Sequence, residues 1–281
     1  MIKKVSVNTI QKMRDNGEKI SVITAYDCSL AKYADESGID VILVGDSVAM
    51  VILGYDSTCA IGMDEMKIFT KAVARGSKRS LIIADMPFMS VTPDIAKSVE
   101  NAGELIRCGA AAVKMEGASE SVIKTIKACA DCGIPVCAHV GFTPQFLNAL
   151  GGYNVQAKSF EATEKLLEDA LKVQDAGAFC VVLEMVPEES AQYVTEKLRI
   201  PTIGIGAGRY TSGQVLVSDD LLGKYSEFKP KFVRRYADMK QLIVDGITAY
   251  NNDVKSGNFP SEDEIFHADE ECKNKLLCNR K

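Results

Sequence analysis

Short apolar runs that end in a polar residue recur along this chain. Val41-Ile42-Leu43-Val44 leads directly into Gly45-Asp46-Ser47, and Leu81 to Ala84 leads into Asp85. Four apolar residues, mostly β-branched, indicate a strand that is buried on both faces, as in a parallel sheet. A carboxylate so close to a core needs a cation, N–H donors or solvent as its partner. The recurrence therefore predicts buried parallel strands whose ends carry a polar site.

Seven strand candidates of this kind are separated by segments with helical patterning. Thr92-Pro93 is typical of a helix start, whereas Gly109, Gly133 and Gly177 are typical of helix ends. Repeating strand–helix units predict a parallel α/β sheet. The strand candidates are 21–27, 41–47, 81–87, 111–117, 135–141, 179–184 and 200–206, and the helical segments are 29–37, 64–76, 93–108, 119–132, 161–176 and 188–198.

The number of strand candidates favours a closed (β/α)8 TIM barrel over the alternative, an open doubly wound sheet. An eighth strand is weakly indicated near Phe228 to Val233. Hydrophobic residues make up 47% of the chain and charged residues 25%, which is typical of a soluble globular protein with a large core.

The net charge and the hydropathy of the chain indicate which partners and which cellular location to expect. A net charge of -5 without basic blocks argues against nucleic acid as the main partner. The first 20 residues lack the apolar stretch of a signal peptide, and no apolar run reaches the roughly 18 residues of a membrane span. We therefore expect a cytoplasmic protein that does not bind membranes.

The nine cysteines do not form a clear metal or redox motif. Cys129 and Cys132 have CxxC spacing, but no second CxxC follows, and the pair lies at the end of a helical segment. Inert thiols are the favoured interpretation, and redox sensitivity is the alternative.

Titratable residues lie at the carboxyl ends of most of the predicted strands. Because active sites of (β/α)8 barrels lie at the carboxyl ends of the strands, these side chains are expected to share one site. Lys114 and Glu116 lie two positions apart on one strand and therefore point to the same face. The residues at strand ends are Asp27, Asp46, Asp85, Lys114, Glu116, His139 and Glu184.

Oxygen ligands from neighbouring strands favour a hard cation such as Mg²⁺. Asp46, Asp85 and Glu116 would supply the oxygens, and the chain has only two histidines, which disfavours a multi-histidine zinc site. A partly open Mg²⁺ shell would bind a 2-oxo acid. Glu184, His139 and Lys114 then become the candidate base, hydrogen-bond partner and anion-binding charge.

The glycine-rich segment from Gly204 to Gly208 has two interpretations. Its GxGxG spacing differs from the GxGxxG of dinucleotide sites. A phosphate cradle after strand seven and close backbone packing around a pocket both remain open.

Many short motifs in fixed order resemble the ketopantoate hydroxymethyltransferase family, also called 3-methyl-2-oxobutanoate hydroxymethyltransferase. The similarity continues to residue 262 and covers nearly the whole chain. The motifs are TAYD (24–27), VGDSVAMVILGYDST (44–58), ADMPFMS (84–90), VKMEG (113–117), HVGFTPQ (139–145), GGYNVQ (151–156), LEMVP (183–187) and IGIGAG (203–208).

The resemblance implies a fold, a reaction and an assembly. Family members are (β/α)8 barrels of the phosphoenolpyruvate mutase/isocitrate lyase superfamily and assemble as homodecamers. They transfer a hydroxymethyl group from 5,10-methylenetetrahydrofolate to 3-methyl-2-oxobutanoate, through an enolate stabilised by one Mg²⁺ per subunit. Formation of the product, 2-dehydropantoate, is the first step of pantothenate and coenzyme A biosynthesis.

The resemblance also implies residue roles and a domain boundary. Residues 1–262, including the N-terminal lead-in, correspond to a single catalytic barrel, and the charge-rich residues 263–281 are expected to form a flexible tail. Two alternatives remain open: a lyase or mutase of the same superfamily, and a non-catalytic barrel kept as a scaffold. The implied roles are metal binding by Asp46, Asp85 and Glu116, substrate binding by Asp46, Ser47, Asp85, Lys114 and His139, and catalysis by Glu184.

Overall fold

Eight parallel strands form a closed barrel in the computed structural model, which describes residues 3–224 and 229–279. The strands are hydrogen-bonded in sequence order, and the last pairs with the first. This confirms the predicted (β/α)8 barrel and rules out the open doubly wound sheet. The strands are β1 (Ile20–Thr24), β2 (Val41–Val44), β3 (Leu81–Asp85), β4 (Ala112–Glu116), β5 (Val136–Gly141), β6 (Cys180–Glu184), β7 (Thr202–Ile205) and β8 (Gly213–Leu216).

Helices cover the outside of the barrel. All six predicted helical segments are helices in the structure, with ends shifted by at most a few residues. The helices are α1 (Val7–Asp15), α2 (Cys28–Glu36), α3 (Val48–Val51), α4 (Met63–Gly76), α5 (Ile95–Arg107), α6 (Glu120–Asp131), α7 (Leu147–Leu150), α8 (Phe160–Asp175), α9 (Glu188–Lys197), α10 (Ser218–Leu221), α11 (Met239–Ser256) and α12 (Glu270–Cys278), with 3₁₀ turns at Thr58–Ala60, Pro144–Phe146 and Glu262–Glu264.

The continuous apolar runs of the strands reflect burial on both faces. In β2, Val41 and Leu43 belong to the cluster that fills the barrel, while Ile42 and Val44 belong to the layer between strands and helices. Alternate side chains point to opposite faces of a strand, so the same short segment contributes apolar side chains both to the barrel interior and to the layer under the helices. This arrangement places every strand's carboxyl end at one rim of the barrel.

The eighth strand does not lie where the sequence indicated it. Phe228 is outside the described residues, and residues 229–233 form irregular backbone and a turn. The strand is Gly213–Leu216 instead, which pairs with β7 and β1. Gly213 weakens the strand pattern, yet a Cβ there would lie 2.4 Å from the Ile20 carbonyl oxygen of β1. Close approach of the two backbones requires a glycine here, and this explains why the strand pattern is weak in the sequence.

The N-terminal lead-in closes the amino end of the barrel. Ser6 caps α1 by accepting a hydrogen bond from the Thr9 N–H. Val5 and Ile10 are buried in the same cluster as Ile20 and Val41 at the amino ends of the strands. The opposite rim is thereby left as the open end.

The carboxylate of Asp35, near the end of α2, binds the loop that enters β3. It accepts hydrogen bonds from Ser77 Oγ at 2.7 Å, from the Ser80 N–H at 2.7 Å and from the Lys78 N–H at 3.1 Å. Desolvation opposes ionisation, but these donors hold the pKa of Asp35 well below its usual value. Because folding lowers this pKa, the stabilisation is present above about pH 4 and is lost as the pH falls further.

We expect Asp35→Asn to lower the free energy of unfolding by about 1–3 kcal/mol at pH 7, because an amide cannot accept all of these hydrogen bonds. The difference from the wild type should shrink as the pH falls from 5 towards 2. Urea unfolding across this range measures it, with Glu36→Gln on the exposed face of the same helix as control. A difference that does not change with pH would contradict the interpretation that the ionised Asp35 carboxylate provides this stability.

The C-terminal elements contact the barrel little. No side chain of α11 is buried in the structure, and several of its apolar residues are exposed, among them Leu242, Ile247 and Tyr250. Exposed helix α12 lies within residues 263–281, for which flexibility stays a prediction. Among the described helices, none is long and apolar enough to span a bilayer.

Candidate active site

The inward-facing series of each strand becomes polar near the open rim. Ile83, Ala112, Cys137 and Val182 fill the barrel, and the next inward positions carry charged groups. Asp85 is in register with Lys114, and Glu116 is in register with His139. Strand periodicity and barrel closure thus bring together the polar ends of β3, β4, β5 and β6.

Lys114 lies among buried carboxylates. Its Nζ is 2.9 Å from Asp85 Oδ1 and 3.6 Å from Glu116 Oε1, and all three side chains are at most 5% exposed. Burial disfavours the ammonium ion, but Asp85, Glu116 and Asp46 together raise the pKa of Lys114 well above its usual value. Lys114 is therefore held as a cation by the carboxylates around it.

Asp46 is the buried carboxylate that follows β2. Its Oδ2 accepts a hydrogen bond from Gln145 Nε2 at 2.8 Å, and its backbone N–H donates to Asp85 Oδ2 at 3.0 Å. Burial raises the pKa of Asp46 well above its usual value, and repulsion from Asp85 and Glu116 adds a smaller contribution in the same direction. A single lysine therefore does not neutralise this cluster of carboxylates.

Gln145 is a site residue that the sequence patterns did not single out. Its side-chain amide donates to Asp46 and also to the Met86 carbonyl at 2.9 Å, and its backbone N–H donates to Glu116 Oε2 at 3.0 Å. It therefore fixes the orientation of two of the predicted metal ligands. The HVGFTPQ motif was the available signal, but an uncharged amide in a loop has no chemistry that marks it in isolation.

His139 lies between two carboxylates. Its Nδ1 is 3.5 Å from Glu116 Oε1, and its Nε2 is 3.3 Å from Glu184 Oε2. Burial opposes protonation of the ring, but the two carboxylates raise the pKa of His139 to about 9. Glu184 is the more accessible of these carboxylates, with 16% of its side chain exposed against 2% for Glu116.

The structure separates one strand-end residue from the others. Asp27 is exposed and caps α2, accepting a hydrogen bond from the Leu30 N–H at 2.8 Å. Ser47 is half-buried beside Asp46, and its Oγ is 2.8 Å from the Tyr26 hydroxyl. Six of the seven predicted strand-end residues and Ser47 therefore lie around the open rim.

The residues fit a divalent cation that shares its shell with other ligands. Across residues 3–224 and 229–279, no three His, Cys, Asp or Glu side chains already converge as a protein-only metal cage. However, carboxylates outnumber cationic groups in this cluster, with Asp46, Asp85, Glu116 and Glu184 against Lys114 and His139. Mg²⁺ usually takes one or two protein carboxylates and completes its shell with water or substrate oxygens. The donor chemistry and the unbalanced charge match that type of site.

The glycine-rich loop after β7 is packed against its own chain. Gly206 and Gly208 have φ angles of 61° and 72°, and added Cβ atoms would lie 2.9 Å from the Phe232 ring and 2.5 Å from the Glu188 side chain. Glu188 also binds Arg209, through the backbone N–H and Nε, each at 3.0 Å. These side chains occupy the space beside the loop, which favours close packing over a phosphate cradle.

Cysteine placement agrees with the favoured interpretation. All nine are free thiols, and Cys129 is buried while Cys132 is exposed at the end of α6. Burial raises the pKa of the Cys129 thiol to about 11, which disfavours the reactive thiolate.

Comparison with known proteins identifies the family of this site. The family model for ketopantoate hydroxymethyltransferase matches residues 4–262. A relative from Clostridium novyi (strain NT), named 3-methyl-2-oxobutanoate hydroxymethyltransferase, is 50% identical over 274 residues, covering 97% of this chain and 99% of its own. The chain belongs to the ketopantoate hydroxymethyltransferase family. The resemblance stated from the motifs is thereby confirmed.

Solved structures with low sequence identity share the fold of this family member. Phosphonopyruvate hydrolase, solved with oxalate and Mg²⁺, aligns with a TM-score of 0.59 and 13% identity, over 98% of this chain and 96% of its own. A 2,3-dimethylmalate lyase described as a PEP mutase/isocitrate lyase superfamily member aligns with a TM-score of 0.57 and 16% identity, over 97% and 93%. The barrel therefore has the same overall fold as these two proteins.

Proposed function

We propose that this enzyme transfers a hydroxymethyl group from 5,10-methylenetetrahydrofolate to 3-methyl-2-oxobutanoate and forms 2-dehydropantoate, the first step towards pantothenate and coenzyme A. The observation that carries the proposal is the buried set of Asp46, Asp85, Glu116 and Lys114 with Glu184 beside it at the more open edge. The name of the 50% identical relative supports the same reaction.

Each side chain has a proposed role that its position supports. Lys114 and the Ser47 hydroxyl would bind the carboxylate end of the oxo acid, because both can donate hydrogen bonds to an anion. Glu184 would accept the proton from C3, since it is the most exposed carboxylate of the set. His139, 3.3 Å from Glu184 Oε2, would hold that carboxylate in position and stabilise its charge.

One Mg²⁺ per subunit is part of the proposal. Asp46, Asp85 and Glu116 would bind the ion. When bound, Mg²⁺ supplies Lewis acidity that polarises the keto group of the substrate. Phosphonopyruvate hydrolase, which shares the fold and was solved with oxalate and Mg²⁺, supports a metal in a barrel of this type. Gln145 would keep the Asp46 carboxylate in a fixed orientation.

An activity assay tests the proposal. It combines the purified protein with 3-methyl-2-oxobutanoate, 5,10-methylenetetrahydrofolate and Mg²⁺. We expect 2-dehydropantoate to form, activity to disappear with excess EDTA, and activity to return when Mg²⁺ is restored. Parallel assays for C–C and C–P bond cleavage address the lyase or mutase alternative that the fold neighbours raise. Product formation only in the cleavage assays would replace the proposal, and inactivity in all of them would favour a non-catalytic barrel.

A homodecamer in the cytoplasm completes the proposal. The unburied helix α11 supports assembly, because Leu242, Ile247 and Tyr250 are 70%, 63% and 58% exposed and such apolar side chains are commonly covered by another subunit. Sedimentation velocity of the assayed preparation measures the mass, and a monomer would contradict the assembly. The cytoplasmic location stays a prediction from the sequence.

A further inference from the structure

The backbone changes conformation directly after Glu184, where β6 ends. Met185 has a φ angle of 47°, in the left-handed region that residues other than glycine, asparagine and aspartate rarely adopt. Across residues 3–224 and 229–279, Met89 and Ala157 are the other non-glycine residues with a positive φ. Such conformations persist only where the surrounding structure holds them, and they are common at functional sites. Met185 is therefore a strained residue next to the proposed base.

Backbone hydrogen bonds from three segments hold this conformation. The Met185 N–H donates to the Ile205 carbonyl of β7 at 2.9 Å, and the Met185 carbonyl accepts a hydrogen bond from the Gln156 N–H at 2.8 Å. The Glu184 carbonyl accepts a hydrogen bond from the Phe142 N–H, directly after β5, at 2.8 Å. Both peptide groups that flank the Met185 Cα are therefore hydrogen-bonded to other parts of the barrel.

The backbone around Met185 has little room to adjust. Gly141 of β5 is in register with Glu184, and a Cβ on Gly141 would lie 2.5 Å from the Glu184 carbonyl oxygen. The same Cβ would lie 3.0 Å from Cγ1 of Val186, which is only 2% exposed. Because Val186 is buried, a change of backbone conformation at Met185 is not taken up there. It is transmitted to Glu184 at the open rim instead.

The position of the Glu184 carboxylate depends on that backbone. Its Oε2 lies 3.3 Å from Nε2 of His139, whose ring is 2% exposed and packed between strands. Since the ring is buried, the end of β6 decides whether the carboxylate reaches it. A displacement of about 1 Å in a catalytic group can cost about 100-fold in rate.

We propose that Met185 is a positioning residue whose left-handed backbone, rather than its side chain, holds the Glu184 carboxylate beside His139, where it accepts the C3 proton of the 2-oxo acid. This inference rests on the proposed function, because it takes Glu184 as the base. Met185 does not touch the substrate in this assignment; it acts through Glu184.

Substitutions that differ in their tolerance of the left-handed region test the inference. Met185→Gly and Met185→Asn adopt it readily, whereas Met185→Val disfavours it because valine is β-branched. Met185→Ala removes the side chain but retains a Cβ. Proton NMR in D₂O measures the exchange of the C3 proton of 3-methyl-2-oxobutanoate in the presence of Mg²⁺, and calorimetric titration of the same sample measures the Kd.

The exchange rate and the Kd should respond differently. We expect Met185→Val to lower the exchange rate about 10-fold to 100-fold and to change the Kd less than about twofold, because the groups that bind the carboxylate end are unchanged. The glycine, asparagine and alanine variants should exchange within about twofold of the wild type, because each still fits the native backbone conformation. Met89→Val is the matched control, since Met89 has a φ angle of 62° in the loop after β3 and is 66% exposed. Its exchange rate and Kd should equal those of the wild type.

Two results would overturn the inference. Normal exchange in Met185→Val that binds the oxo acid would show that this backbone conformation does not position Glu184. Loss of exchange in Met185→Gly or Met185→Ala would show that the methionine side chain acts instead. Met185→Thr, with a smaller change in hydropathy and the same β-branching, replaces the valine variant if that variant fails to fold. Wild-type protein that binds the oxo acid without exchanging its C3 proton would instead overturn the proposed role of Glu184 together with this inference.

Discussion

Glu184→Gln is expected to abolish exchange of the C3 proton of 3-methyl-2-oxobutanoate while the oxo acid still binds. Glutamine keeps the size of the side chain and a hydrogen bond with His139, which lies 3.3 Å away, but it cannot accept a proton at neutral pH. Loss of a general base commonly costs about 10²- to 10⁴-fold in rate. Lys114 and Ser47, which we assign to the carboxylate end, are unchanged in this variant.

Proton NMR in D₂O, with Mg²⁺ and without the folate, measures the exchange directly. Calorimetric titration of the same sample measures whether the oxo acid binds. Glu189→Gln, an exposed carboxylate on α9, is the matched control and should exchange at the wild-type rate. Exchange at the normal rate in Glu184→Gln would mean that another group is the base. Loss of binding as well as exchange would place Glu184 in substrate binding instead.

Lys114→Met is expected to lower the free energy of unfolding by about 3–5 kcal/mol in the absence of metal, the usual cost of removing one partner from a buried ion pair. The substitution leaves Asp85, Glu116 and Asp46 buried together without the ammonium group that lies 2.9 Å from Asp85 Oδ1. Methionine retains much of the volume, so the loss comes mainly from charge. Protonation of a carboxylate can relieve the repulsion, and the loss should therefore shrink towards pH 5.

Urea unfolding at pH 8 and pH 5, with and without Mg²⁺, checks this expectation. Mg²⁺ should restore part of the lost stability if the carboxylates bind it, because the cation then replaces the missing charge. Lys127→Met is the control: its exposed pair with Asp131 should contribute at most about 1 kcal/mol. Similar losses for the two variants, or no effect of pH on the Lys114 variant, would contradict the electrostatic account.

The positions of strands β1 to β7 and of helices α2, α4, α5, α6, α8 and α9 could be predicted because they depend on local patterns. Alternation along a strand placed Lys114 and Glu116 on one face, and both point into the barrel as expected. The exceptions have specific causes. Strand β8 contains Gly213, whose missing side chain admits the β1 backbone but weakens the strand pattern. Asp27 closes an apolar run as Asp46 does, yet it is used as a helix cap outside the site.

Several site contacts could not be predicted from the same patterns. Gln145 lies 99 positions from Asp46 in the chain, and it meets that carboxylate only because the loop after β5 folds over the rim beside β2 and β3. Tyr26 belongs to the TAYD motif, but its contact with Ser47, 2.8 Å between the two hydroxyl oxygens, joins residues 21 positions apart in the chain. Neither residue has a charge or a spacing that marks it in the sequence.

Local sequence patterns were enough to predict the buried strands β1 to β7, the charged groups at their ends and the family that the motifs resemble. Backbone geometry explains this, since the side-chain period of a strand is a property of a few consecutive residues. Which of those groups meet became clear from the folded barrel alone: Lys114 with Asp85, His139 between Glu116 and Glu184, and Gln145 on Asp46. Those partners are set by the register between strands and by closure of β8 onto β1, which join residues distant in the chain.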